Sequence, residues 1–213
     1  MIAGGFWRPA RLALVRSLRV ITWPLWRLAV AWERRDPQIA EAVRDGVAAR
    51  YSRDLGPYHL ATLCAQADHA VAVSKLGELQ QAEAELTEVI IRLDPLVDGD
   101  ARLLLDVRRW HYHVLVELGW VAETEADARF VAESYARQLG PGHPDTLQWR
   151  RMTAVALWEA GRRDEATAEM ADAAARLAAT QGAGHPDTLE AERVLSSMRT
   201  NENATFRIRP PAG

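Results

Sequence analysis

The nine residues Leu139-Gly140-Pro141-Gly142-His143-Pro144-Asp145-Thr146-Leu147 return as Gln181-Gly182-Ala183-Gly184-His185-Pro186-Asp187-Thr188-Leu189, an offset of 181 − 139 = 42 residues. Two periods upstream, at 139 − 84 = 55, stands Leu55-Gly56-Pro57-Tyr58-His59-Leu60-Ala61-Thr62-Leu63. The copy due at 97 has diverged and keeps only its final leucine, Leu105. Gly77, Gly119 and Gly161 hold the same register, each followed five residues later by Ala82, Thr124 or Ala166. A gap-free period of this length means that each unit is one supersecondary element, able to bury its apolar face only against its neighbours.

Within each unit a stripe follows the glycine: Leu86, Val89, Leu93; then Ala128, Val131, Tyr135; then Met170, Ala173, Leu177. Steps of three and four place each stripe on one helix face. The His-Pro-Asp-Thr element opens a first helix, since proline suits the first helical position and aspartate suits the positive end of the helix dipole. The glycine makes the turn to a second helix. The pattern predicts an all-α chain of antiparallel pairs at about 60–76/79–95, 102–118/121–137 and 144–160/163–179, with turns at the three glycines. A degenerate unit precedes them, with Ala40, Val47 and Tyr51 at stripe positions and Arg44 breaking the pattern. The segment from Pro186 to Met198 reads as a lone capping helix, closing an array over 33–199. Residues 200–213, polar with two prolines, read as a disordered tail.

Leu-Gly-Pro-x-His-Pro-Asp-Thr-Leu followed by Gly161-Arg162-Arg163-Asp164-Glu165-Ala166 resembles the 42-residue tetratricopeptide repeats of kinesin light chain type, which are also common in actinobacterial proteins. The resemblance covers roughly residues 36–198. It implies a right-handed superhelical solenoid whose first helices line a concave peptide-binding groove. The family often carries Asn-Asn-Leu-Ala in the first helix, where an asparagine holds the ligand backbone. Here those positions read Ala67-Asp68-His69-Ala70, Arg109-Trp110-His111-Tyr112 and Arg151-Met152-Thr153-Ala154, so that clamp is missing.

Chemistry-bearing patterns are scarce. His59, His143 and His185 recur at one repeat position, too far apart to share a metal, and read as helix-start structure. His111 and His113 lie about 200° apart around a helix and cannot chelate together. Cys64, the one cysteine, lacks a nearby base with an orienting group and reads as a buried or inert side chain. No phosphate loop, dinucleotide fingerprint or zinc spacing occurs. The expectation is a chain that is not an enzyme and takes no cofactor or metal.

The candidate binding residues are Arg109 and Arg151, one period apart and groove-facing in the tetratricopeptide register, with Arg108 and Arg150 beside them. His113, Val116, Val155 and Trp158 lie one to two turns further along, and Cys64, Ala67, Val71 and Ser74 are their counterparts in the first unit. Paired guanidinium groups beside apolar surface suit a protein or an acidic peptide segment, because arginine grips carboxylates bidentately. The competing reading pairs these arginines internally with Asp106, Glu117 or Glu159.

The N-terminal segment 1–32 is the other signal. Arg8, Arg11, Arg16, Arg19 and Arg27 give it +5 with no acid, so the remainder carries −3 − 5 = −8. An acidic body argues against a nucleic-acid surface. Leu14, Leu18, Ile21, Leu25, Leu28 and Trp32 share one helical face, with Trp23 and Trp26 at its edges and Pro24 as a kink. Either this is a degenerate first repeat helix packed on 36–53, or an amphipathic anchor for an anionic membrane or an acidic protein. Neither a membrane span nor a signal peptide is expected. The functional expectation is a cytoplasmic protein-binding adaptor or scaffold. The alternatives are a membrane-peripheral assembly factor and a peptide-sensing regulatory protein.

Overall fold

The structure, a computed structural model, describes residues 36–99, 101–200 and 205–206. The basic segment 1–32, expected as a first repeat helix or an amphipathic anchor, therefore lies outside the described residues. Every element among those described is an α-helix: α1 (Pro37–Leu55), α2 (Leu60–Lys75), α3 (Leu79–Leu93), α4 (Arg102–Leu118), α5 (Val121–Leu139), α6 (Pro144–Glu159), α7 (Arg163–Gln181) and α8 (Pro186–Thr200). The expected pairs appear within two residues at every boundary. None of these helices is long and apolar enough to cross a membrane.

The pairs turn where the glycines stand. Gly77, Gly119 and Gly161 have φ of 87°, 75° and 78°. This left-handed backbone costs an L-residue with a Cβ about 1–2 kcal/mol, which accounts for glycine at each turn.

Between pairs, the recurring nine-residue element builds one corner three times. The imidazole Nδ1 of His59, His143 and His185 accepts the backbone N–H two residues on, at 3.1, 3.2 and 3.2 Å. The hydroxyls of Thr62, Thr146 and Thr188 donate back to the carbonyls of Gly56, Gly140 and Gly182 at 2.8, 2.9 and 3.0 Å. All three threonines are fully buried. The histidine satisfies a donor left open at the helix N-terminus, and the threonine ties that terminus to the end of the preceding helix. In the diverged copy α4 starts after Ala101, with no side-chain cap.

The chain divides into two compact units, with the boundary inside α3 between Glu85 and Leu86. In the first, α1 packs on α2 through Ala40, Arg44 and Ala48. In the second, successive helices from α4 to α8 pack on one another. Its apolar interior includes two clusters among the described residues. One joins Leu105, Tyr112, Ala128, Val131, Trp149 and Met152. The other joins α6 and α7 to Ala191, Val194, Leu195 and Met198 of α8. Ala82 and Ala166 are both completely buried, as expected of small residues at close helix approaches. The tail departs from expectation at its described residues. Thr200 ends α8, and Phe206 sets its ring edge-on to Trp158 with centroids 5.7 Å apart.

Candidate functional site

The first helices of the units each send a cation to the second helix. In α2, His69 bridges two carboxylates, Nδ1 to Glu85 Oε2 at 2.8 Å and Nε2 to Glu41 Oε1 at 2.9 Å. Both ring nitrogens must donate for this geometry, so the ring is an imidazolium. The bond to Glu85 pushes its pKa up to about 9, burial opposes the rise, and Glu41 and Asp45 add to it. In α4, one period later, Asp127 takes His111 Nδ1 and Arg108 on its two oxygens, each at 2.6 Å. The far nitrogen of His111 meets the Thr87 hydroxyl at 3.2 Å. In α6, Arg150 grips Glu169 with two bonds of 2.7 and 3.0 Å and also pairs with Asp172. Glu85, Asp127 and Glu169 are 42 residues apart, so this clasp belongs to the repeat.

These clasps correct the grouping of Arg108 and Arg150 with the binding face. One residue rotates a side chain by about 100° around a helix, which turns both arginines toward their own second helix while Arg109 and Arg151 point elsewhere. Their acids are Asp127, Glu169 and Asp172, with Glu117 and Glu159 taking no part. Arg108 also lies over the Phe130 ring at 4.2 Å.

Arg109 does meet Asp106, at a long 3.4 Å. Its Nε is buried without a hydrogen-bond partner, while about a quarter of its side chain remains exposed. On the same stripe of α4, His113 is held neutral: burial first, then the charge of Arg109, push its pKa down to about 4. Val116, one turn on, is half exposed at 50%, and Trp110 stands at the edge of this face at 43%, its ring 6.1 Å from His113. Trp110 was not singled out from sequence. Its counterparts Asp68 and Met152 are not aromatic, so the repeat gave no signal.

On α6 the equivalent positions are covered. Arg151, Val155 and Trp158 are only 3%, 7% and 2% exposed. Val155 and Trp158 join the cluster with α8, and Arg163 lies over the Trp158 ring at 4.2 Å. They were expected on the open surface, and the capping helix together with Phe206 closes it over them. Arg151 donates to the neutral Gln148 at 2.9 Å, and its Nε has no hydrogen-bond partner. Burial lowers its pKa from the usual arginine value, against the pull of Asp187 and Glu190 on α8. Of the first-unit counterparts, Ala67 and Val71 are buried and Cys64 is exposed, against the reading of a buried cysteine. Among the described residues no three His, Cys, Asp or Glu side chains converge into a metal-binding group.

No protein-family model matches this chain. No curated protein matches it either. Solved structures do. A Podosopora anserina protein described as a kinesin light chain with nearly identical TPR-like repeats superposes with a TM-score of 0.75 at 22% identity, over 82% of this chain and 83% of that one. A glutamine-to-methionine variant of that protein gives the same values. The helix pairs described above thus have the all-α fold of tetratricopeptide repeats, similar to that of the kinesin light chain-like proteins.

Proposed function

We propose that this chain is a protein-interaction module that takes an acidic segment of a partner on the face of α4 carrying Arg109, Trp110, His113 and Val116. The observation that carries this reading is the state of Arg109. Its neighbour Arg108, like Arg150 one repeat on, is tied into short internal ion pairs, whereas the contact of Arg109 with Asp106 is long, at 3.4 Å. A guanidinium beside exposed apolar side chains gains most from a carboxylate that arrives with its own apolar neighbours, since the bidentate bond then forms out of water. The neutral His113 beneath it adds no competing charge. The chain's overall charge of −3 makes a local cationic face a point of discrimination.

The test is a peptide array of acidic twelve-residue segments, with and without an aromatic residue, against matched basic and neutral arrays. Selective capture of acidic members that is lost in Arg109→Glu supports the reading. Capture that ignores peptide charge, or that survives the reversal with helicity intact, overturns it.

A further inference from the structure

His113 departs from the repeat. It stands where α2 has Val71 and α6 has Val155. Both valines are buried, whereas His113 is partly exposed. Its neighbours are aromatic rings. Tyr112 meets it edge-on with centroids 5.3 Å apart, Trp110 likewise at 6.1 Å, and Trp149 lies tilted at 6.5 Å. These rings fix the plane of the imidazole without engaging its nitrogens. Among the described residues neither nitrogen takes a hydrogen bond, and neither is sealed from solvent. Burial, then the charge of Arg109, hold the ring neutral. A neutral imidazole carries one N–H donor and one acceptor nitrogen, the complement of what a peptide group offers. A partly desolvated polar group without a partner is a cost that valine avoids at the other two positions.

We propose that His113 holds the main chain of the partner segment, its imidazole paired with a peptide group while Arg109 grips a side-chain carboxylate; this role rests on the α4 face being the seat of an acidic segment. Arg109 and His113 lie one turn apart on the same stripe, about 6 Å along the helix axis. An extended chain advances about 3.3 Å per residue. A carboxylate held at Arg109 therefore brings a peptide group within two residues of it over the imidazole. Val116, half exposed one turn further, is left for an apolar side chain beyond. The two side chains divide the work by chemistry. A guanidinium has donors only and cannot accept an amide N–H, whereas a neutral imidazole can both donate and accept. The α6 helix does not offer the same pair, since Val155 replaces the imidazole and is buried.

The probe is the acidic twelve-residue peptide that the full chain captures most tightly in the array above, made with each amide in turn replaced by an ester. That replacement deletes the N–H and weakens the carbonyl as an acceptor. One ester, within two residues of the acid whose neutralisation costs most, weakens binding by about three- to ten-fold. In His113→Leu, which gives the position the apolar character of Val71 and Val155, the unaltered peptide binds more weakly by about the same factor. Acidic peptides are still preferred by that variant, and the ester no longer matters. His113→Asn, which keeps a donor and an acceptor, restores part of the affinity. Equal ester sensitivity in the parent and in His113→Leu overturns the proposal. So does a parent scan with no sensitive amide within two residues of that acid, a result that stands even if His113→Leu does not fold. An imidazolium at His113 at neutral pH, seen by NMR, overturns it as well. Absence of any preference for acidic peptides is a separate outcome, which removes the reading of the α4 face and the role of His113 with it.

Discussion

The bridging histidine of the first unit ties stability to pH in a direction the structure fixes. His69 has its pKa raised from 6.5 to about 9 by Glu85, then Glu41 and Asp45, against the cost of burial. A raised folded-state pKa means that the bridge contributes fully below about pH 6.5, and that its contribution is lost as pH rises toward 9. At 1.36 kcal/mol per pKa unit the ceiling is about 3 kcal/mol. Glu41 and Glu85 keep 27% and 29% of their side chains exposed, and solvent screening reduces this to about 1–2 kcal/mol. On the acid side, burial pushes the Glu85 carboxyl up but the bonds from His69 and Gln81 prevail, so its pKa lies below the usual carboxylate value. Its share is present above about pH 4.5 and is lost as pH falls through the lowered value. The facing groups are Glu41 and Asp45 from α1 and Gln81 and Glu85 from α3. His69→Gln keeps a donor and removes the titration. The assay is an imidazole NMR titration joined to urea unfolding at pH 6.5, 8 and 9.5. A His69 pKa near 9, with stability that declines across this range in the parent and stays flat in the variant, is the expected result. A pKa of 6–7, or equal pH slopes for the two proteins, refutes the reasoning.

Other perturbations act on single links of the fold. Ala166→Leu overpacks a fully buried contact and destabilises by about 1–3 kcal/mol, read by thermal melting. Thr146→Val removes the hydroxyl bond to Gly140 and leaves that carbonyl with only the longer bond from the His143 N–H, costing about 1 kcal/mol in urea titration, with the change centred on the second unit. Phe206→Ala uncovers the edge of Trp158 and red-shifts its emission, while a spectrum unchanged by the substitution counts against the contact. Arg151→Glu places a carboxylate in a buried site near Asp187 and Glu190 and destabilises by roughly 3–5 kcal/mol, whereas Arg109→Glu, on the partly open stripe, leaves the melting midpoint within a few degrees.

The fold was legible because its signals repeat. A glycine with positive φ, a proline at a helix start and apolar stripes at steps of three and four are local requirements of the backbone, and three copies at 42-residue spacing confirm one another. The corner threonine carried the same signal at Thr62, Thr146 and Thr188 but looked like an ordinary helix-start residue. Its role depends on a carbonyl six residues upstream that only the folded corner brings within reach. The acids at 85, 127 and 169 were equally periodic, and the histidines at 69 and 111 lay in step with them. What concealed the clasp was its changing residue types, histidine in α2, histidine with arginine in α4 and arginine alone in α6.

The proposed binding face was less legible because exposure is a property of neighbours. Arg109 and Arg151 are identical in type and in repeat position, yet the first keeps a quarter of its side chain in water and the second has lost nearly all of it. Two features of the chain's end make the difference: α8 brings Ala191, Val194, Leu195 and Met198 over α6, and Phe206 closes on Trp158. A periodic sequence therefore specifies equivalent positions, but what packs on each is set by its neighbours, and here α8 and Phe206 convert part of the α6 register into core. A ligand that reads the repeat position of Arg109 meets one accessible guanidinium on the second unit instead of two. Its affinity should then fall by a single charged contact when Arg109 is changed, and loss of binding in an Arg151 variant should track loss of folding at every temperature measured.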